Sequence, residues 1–164
     1  MPPKRYKTAL YICQDIEPVL LPAFARCLIE NQQKKLSVDV YISSRGGDVA
    51  TAIALHDLIK TYPYPIRTIG LGQVMSAAVI VFLGADERLC YANTIFYLHD
   101  ITIKDGHSVC PVTPAIAQMD DYRIETTKPV TELLLTAPQA LAKRLVTDMI
   151  GGRVFNEVSD NAVV

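Results

Sequence analysis

Apolar and polar positions along the chain change period several times, and each change marks the border of an element. The β-branched run Val38-Asp39-Val40-Tyr41-Ile42-Ser43-Ser44 predicts a strand at 38–44 that stops at Arg45-Gly46-Gly47-Asp48. Apolar residues at 49, 52, 53, 55, 58 and 59 then follow helical spacing and predict a helix at 48–61. By the same reasoning a strand is expected at 8–13, a helix at about 18–32 whose Pro18 suits a first turn, and a strand at 66–71. The nearly all-apolar run from Ala77 to Ala85 predicts a buried helix at 75–84, and a strand at 88–98 follows. A loop at 101–112 holds Gly106 and Pro111, and a helical stretch from Thr113 onward is interrupted at Pro129. Thr136-Ala137-Pro138-Gln139 is a capping-box start for a last helix ending at Gly151-Gly152, and 151–164 reads as a loose tail. Strands separated by helices imply mainly parallel pairing through right-handed crossovers, hence an α/β fold in one domain over 1–164, with its core at about 7–150.

Three positions in this pattern carry chemistry. Ser76 stands between a strand that runs into Gly70 and Gly72 and the apolar helix after it. A hydroxyl at such a junction is held by the turn near the positive end of the helix, which is one way to present a nucleophile; an N-cap serine is the plainer alternative. Gly46-Gly47, at another strand-to-helix turn, lets the backbone approach a neighbouring group and leaves amides pointing outward, as an oxyanion hole requires. His99 closes the strand Ile95-Phe96-Tyr97-Leu98, one helix and one strand after Ser76, where it suits a general base.

Ile42-Ser43-Ser44-Arg45-Gly46-Gly47, Gly72-Gln73-Val74-Met75-Ser76-Ala77 and Ile95-Phe96-Tyr97-Leu98-His99 occur in the order and approximate spacing of the Clp peptidase proteolytic subunit family. Thr136-Ala137-Pro138-Gln139-Ala140 followed by Leu145-Val146-Thr147-Asp148 resembles that family's C-terminal helix signature, so the resemblance covers about 7–150. It implies a spiral of β-α units of the ClpP/crotonase type and a serine endopeptidase acting on peptides or unfolded proteins inside a homo-oligomeric ring. It matches Ser76 to the nucleophile, His99 to the general base, and Gly47 and the Ala77 amide to the oxyanion-hole donors. The family's orienting acid lies six residues before the proline of the Ala-Pro signature, a count that falls on Glu132; Asp120 and Asp121 are the alternatives. Glutamate can orient an imidazole and stabilise the imidazolium, with its longer side chain asking for a different backbone position.

The chain departs from the family elsewhere. Arg45 replaces the proline usual before the two glycines, and the stretch after His99 that forms the family's ring-stacking handle is shortened. The first core strand follows only a few residues, where the family has axial-loop segments that engage an AAA+ unfoldase, so poor docking to such a partner is expected. Two rival readings stay open: a non-catalytic scaffold subunit, and a crotonase-type acyl-CoA enzyme, which uses paired amides without a serine nucleophile. The order Ser, His, acid and the lack of Gly-x-Ser-x-Gly argue against an α/β-hydrolase.

Composition narrows the classes further. Of 164 residues half are hydrophobic, enough for a sizeable core, and the formal net charge is −1. The basic runs are short, with Lys4-Arg5-Lys7 and Lys34-Lys35 as examples, which points away from nucleic acid. The N-terminus does not read as a signal peptide, and a cytoplasmic protein is expected. The uncharged stretch 68–85 approaches the length of a membrane span, but Gly70, Gly72, Gln73 and Ser76 break it and favour a buried core helix over a membrane segment. Cys13, Cys27, Cys90 and Cys110 show no metal-ligand spacing; three lie inside apolar segments and read as buried thiols. His56 and His107 read as structural or solvated. Gly70-x-Gly72-x-x-Met75 lacks the third glycine of a dinucleotide fingerprint, and neither cofactor nor metal is expected.

Overall fold

The computed structural model describes residues 8–99, 101–102, 109–110 and 132–150. The elements run β1 (Thr8–Ile12), α1 (Leu20–Gln33), β2 (Val38–Ser44), α2 (Val49–Lys60), β3 (Ile66–Met75), α3 (Ala77–Phe82), β4 (Glu87–Tyr91) and β5 (Ile95–His99). After these come β6 (Ile101–Thr102), β7 (Val109–Cys110), β8 (Glu132–Thr136), α4 (Ala137–Ala142) and β9 (Asp148–Ile150). Seven strands form one sheet in which β1, β2, β3, β4 and β9 lie side by side, all parallel. β5 joins β3 in parallel and takes β8 as its antiparallel outer partner, while β6 and β7 form a small separate pair. The fold is α/β and mostly parallel, as the alternating pattern implies.

Period-two alternation explains the layering. Val38, Val40 and Ile42 are fully buried, and they join Leu55 and Ile59 of α2 and Val79 and Phe82 of α3 in one apolar core. On the alternate positions of β2, Asp39 pairs with Arg67 of β3, directly opposite it in register, through bonds of 2.6 and 3.0 Å. Arg67 in turn stands 3.6 Å from Glu87, its partner on β4.

β3 serves two sets of neighbours because it bends. Gly72 has φ +56, and the β2–β3 register shifts between Ile42 and Ser44. Before the shift, residues 67–70 pair with β4; after it, Gln73, Val74 and Met75 pair with β5. The single strand expected at 88–98 is therefore two strands. Thr94 closes the turn between them: its N–H donates to Tyr91 O at 2.9 Å, and its buried hydroxyl donates to Gly70 O at 3.0 Å. That side-chain bond fixes the crossing from one half of β3 to the other.

The C-terminal part also differs from expectation. The 132–136 stretch, which follows the interruption expected at Pro129 and in which no strand is expected, is strand β8, because the run Leu133-Leu134-Leu135 has no period that separates a strand from a helix. The capping box does open a helix, with Gln139 Oε1 accepting from the Thr136 N–H at 2.9 Å, but α4 ends at Ala142 rather than near 151. Arg144 turns the chain at φ +59, and the Arg88 guanidinium donates to Leu145 O at 3.1 Å and to Ala85 O at 2.8 Å. Thr147 then donates from its N–H and its hydroxyl to Arg88 O, both at 2.7 Å, and the chain continues as β9 beside β4. Tertiary hydrogen bonds here outweigh helix propensity. The helical stretch from 113, its break at Pro129 and the 151–164 tail lie outside the described residues. Among the described residues no helix is long and apolar enough to cross a membrane.

Candidate active site

Ser76 is the hinge of the β3–α3 turn. Its φ of 52° and ψ of −127° are unfavourable for a residue with a Cβ, a strain of about 1–3 kcal/mol that the surroundings must hold in place. Two backbone bonds do so: the Ser76 N–H donates to Tyr97 O at 2.7 Å, and the Val79 N–H donates to Ser76 O at 2.9 Å. The serine occupies the N-cap position of α3, yet its side chain does not cap the helix. The plainer alternative for this hydroxyl thus loses its main support.

The second glycine turn lies against the first. Gly46 has φ +104, and a Cβ added there would come within 2.7 Å of Ser76 Cβ, 2.8 Å of Met75 O and 3.0 Å of Ala77 N. Only glycine allows this backbone-to-backbone approach. Gly47, at φ +144, lies against Ile16 in the same way, where a Cβ would collide with the Ile16 carbonyl. Ile16 forms an isolated parallel bridge with Gly47: the Ile16 N–H donates to Gly46 O at 2.7 Å, and the Asp48 N–H donates to Ile16 O at 2.8 Å. Because these bonds use the groups on either side of Gly47, its own N–H is turned to the opposite edge of the chain. Ser44, buried, accepts from the Gly46 N–H at 3.1 Å and so braces the turn from within.

The third part of the site comes from β5 and β8. Met75 is paired with Tyr97, so His99 lies two residues beyond the β5 residue that flanks the Ser76 turn. In the antiparallel β5–β8 pair, His99 and Glu132 are register partners at its end. The topology therefore brings the Ser76 turn, the Gly46–Gly47 turn, and the His99 and Glu132 backbones to one corner of the sheet. Asp120 and Asp121 lie outside the described residues.

Other titratable groups of the described residues fall elsewhere. Asp48 caps α2, accepting from the Thr51 hydroxyl at 2.6 Å and the Thr51 N–H at 2.7 Å, and these bonds hold its carboxyl below the ordinary range. His56 is buried on α2 with Nδ1 2.9 Å from Asp57 Oδ1, remote from the serine turn in the sequence of elements. The expectation of buried thiols needs correction: Cys90 is buried, Cys27 is partly exposed, and Cys13 is exposed just past β1, where the strand has left the core. Burial pushes the Cys90 thiol up to about 11, which keeps it protonated and unreactive. Among the described residues no group of three or more His, Cys, Asp or Glu could hold a metal ion. Sequence reasoning missed Ile16 and Ser44 as braces of the glycine turn. A serine two residues before a turn glycine is a local pattern that could have flagged Ser44, whereas nothing local marks the contact with Ile16.

The Clp protease family matches residues 22–149 of this chain. The chain is similar to the ATP-dependent Clp protease proteolytic subunit of Paracoccus denitrificans, 41% identical over 71 residues that cover 42% of this chain and 36% of that protein. It is also similar to the ATP-dependent Clp protease proteolytic subunit 2 of Treponema denticola, 27% identical over 118 residues, covering 71% of this chain and 59% of that one. The match thus spans about a third to three fifths of these curated relatives. Among solved structures, a mutant of ClpP1 from Listeria monocytogenes superposes with a TM-score of 0.76 at 20% identity, covering 88% of this chain and 92% of that one. ClpP1 from the same organism does so with a TM-score of 0.67 over the same shares. The likeness to these structures is one of fold. The family match runs from α1 to β9 and takes in both glycine turns, Ser76, His99 and Glu132, and on that extent the chain belongs to the Clp protease family.

Proposed function

We propose that this protein is a serine endopeptidase that hydrolyses peptide bonds with Ser76 as nucleophile, His99 as general base and Glu132 as the acid that orients His99. The observation that carries this reading is the strained Ser76 turn, tied by its N–H to β5 two residues before His99, with Glu132 opposite His99 across the β5–β8 pair. Ser76 Oγ attacks the substrate carbonyl carbon as His99 takes its proton. The carbonyl oxygen becomes an oxyanion that accepts hydrogen bonds from the Gly47 and Ala77 amides. His99 then gives its proton to the leaving amine, and a water molecule repeats the sequence on the acyl-enzyme to release the acid. Glu132 stays ionised and stabilises the imidazolium. Exposed apolar side chains such as Tyr11, Ile95 and Leu134 support self-association, and a homo-oligomeric ring is part of the proposal.

A fluorophosphonate probe tests the reading directly. It should label wild type at Ser76 and leave Ser76→Ala unlabelled, and cleavage of short fluorogenic peptides should fall by roughly 10⁴–10⁶ in the variant. An unlabelled wild type that cleaves no peptide would overturn the peptidase reading, since neither rival has an activated serine. Light scattering after size exclusion tests the ring, which a monomer at micromolar concentration would defeat.

A further inference from the structure

Arg45 and Asp15 form an ion pair with Arg45 Nη2 3.4 Å from Asp15 Oδ2, and both side chains are well exposed. The pair is placed unusually for a surface contact. Arg45 immediately precedes Gly46, whose backbone lies against Ser76, and Asp15 immediately precedes Ile16, whose backbone bridges Gly47. The two segments are therefore joined three times within four residues: Ile16 N–H to Gly46 O, Asp48 N–H to Ile16 O, and the side-chain charge pair at the open end. Within the 45–48 turn only the Ser44 hydroxyl, among the contacts already described, braces the glycines from inside the same loop. The turn contains two successive glycines at positive φ, and such residues gain the most conformational freedom when released. An external brace that shortens the excursions of this turn acts on the orientation of the Gly47 N–H.

We propose that Asp15 and Arg45 are positioning residues: their ion pair clamps the 15–16 segment onto the Gly46–Gly47 turn and so holds the Gly47 amide in the orientation that catalysis needs. The inference rests on the peptidase reading for its catalytic part, and on the ion pair together with the backbone bonds beside it for its structural part. Since the pair is exposed, its strength is that of a screened surface contact, and the effect on rate is modest and salt-sensitive.

The test has one arm for each part. In amide hydrogen exchange, Asp15→Asn and Arg45→Gln should each speed exchange at Ile16 and Asp48 by about two- to five-fold, and the charge-reversed double variant Asp15→Arg/Arg45→Asp should return it toward wild type. In peptide hydrolysis, both single variants should lower kcat by about two- to five-fold with KM unchanged, the double variant should recover, and 1 M salt should bring wild type to the level of the single variants. Unchanged exchange in the single variants overturns the clamp whatever the activity. Faster exchange with unchanged kcat in an active enzyme overturns its catalytic part and leaves the peptidase reading standing. Faster exchange in the single variants, with a wild type that neither labels nor cleaves, overturns the catalytic part together with that reading and leaves the clamp standing.

Discussion

Gly46 lies against the Ser76 turn: a single carbon added to Gly46 would stand 2.7 Å from Ser76 Cβ and 2.8 Å from the carbonyl oxygen of Met75. Gly46→Ala should therefore both strain its own φ of +104 and push the serine turn out of place. The expected loss is about 2 kcal/mol, or roughly 4–8 °C in melting midpoint, with peptide hydrolysis and fluorophosphonate labelling falling further than stability does. Thermal melts followed by labelling at a temperature where the variant is folded check this. A variant that melts and labels like wild type would contradict the contact.

The opposition of His99 and Glu132 across β5–β8 gives a second expectation. Glu132→Gln keeps the volume and removes the charge that stabilises the imidazolium, so turnover should fall on the order of 10⁴-fold while the circular dichroism spectrum stays that of wild type. The competing assignment predicts the reverse, an active Glu132→Gln and a dead Asp120→Asn or Asp121→Asn. Steady-state kinetics on one fluorogenic peptide distinguish the two.

Asp39 is 7% exposed and satisfied mainly by the Arg67 guanidinium. Asp39→Ala leaves Arg67, itself mostly buried, with Glu87 at 3.6 Å as a more distant counter-charge. A loss of about 2–3 kcal/mol is expected in urea denaturation, without a change in the slope of the transition. Replacing Lys60, whose bond to Asp86 is exposed, should cost far less.

Asp48 supplies a pH signature. Its folded carboxyl titrates below the ordinary value of 3.8 because the Thr51 hydroxyl and N–H bind the charged form. The cap's contribution is thus complete above the unfolded pKa and disappears as pH falls through the lower folded one. Denaturation measured from pH 7 down to about 3 should show wild type above Asp48→Ala by a constant margin at neutral pH, with the margin closing only on the acid side. A margin that did not depend on pH would assign the stabilisation to packing rather than to the carboxylate.

How much of this was legible in the sequence depends on how local the determining contacts are. The strand at 38–44 stands where the β-branched run put it, the capping box at Thr136 opens a helix, and the paired glycines mark a close backbone approach. Ser76 could be read as a turn residue, whereas its positive φ could not, because that follows from packing against Gly46 and Tyr97 rather than from its neighbours in sequence. The same limit explains the errors. The break between β4 and β5 depends on Thr94 reaching Gly70 O, and the early end of α4 depends on Arg88 gathering the carbonyls after it. Triple leucine in β8 has no period of its own and becomes a strand because β5 offers an edge.

β8 has a consequence for the order of folding. Both glycine turns and Ser76 belong to segments that meet within the first hundred residues, but Glu132 reaches its place only when a strand beginning at 132 returns to pair with β5. Closing that long excursion carries an entropic cost, and the pairing is non-local, so it belongs to the slow part of assembly. On the proposed chemistry, a chain emerging from the ribosome or stalled part-way through folding holds a serine and a histidine without the acid that orients them. Its capacity to cut, including to cut its own unfolded neighbours, arrives only with the finished sheet.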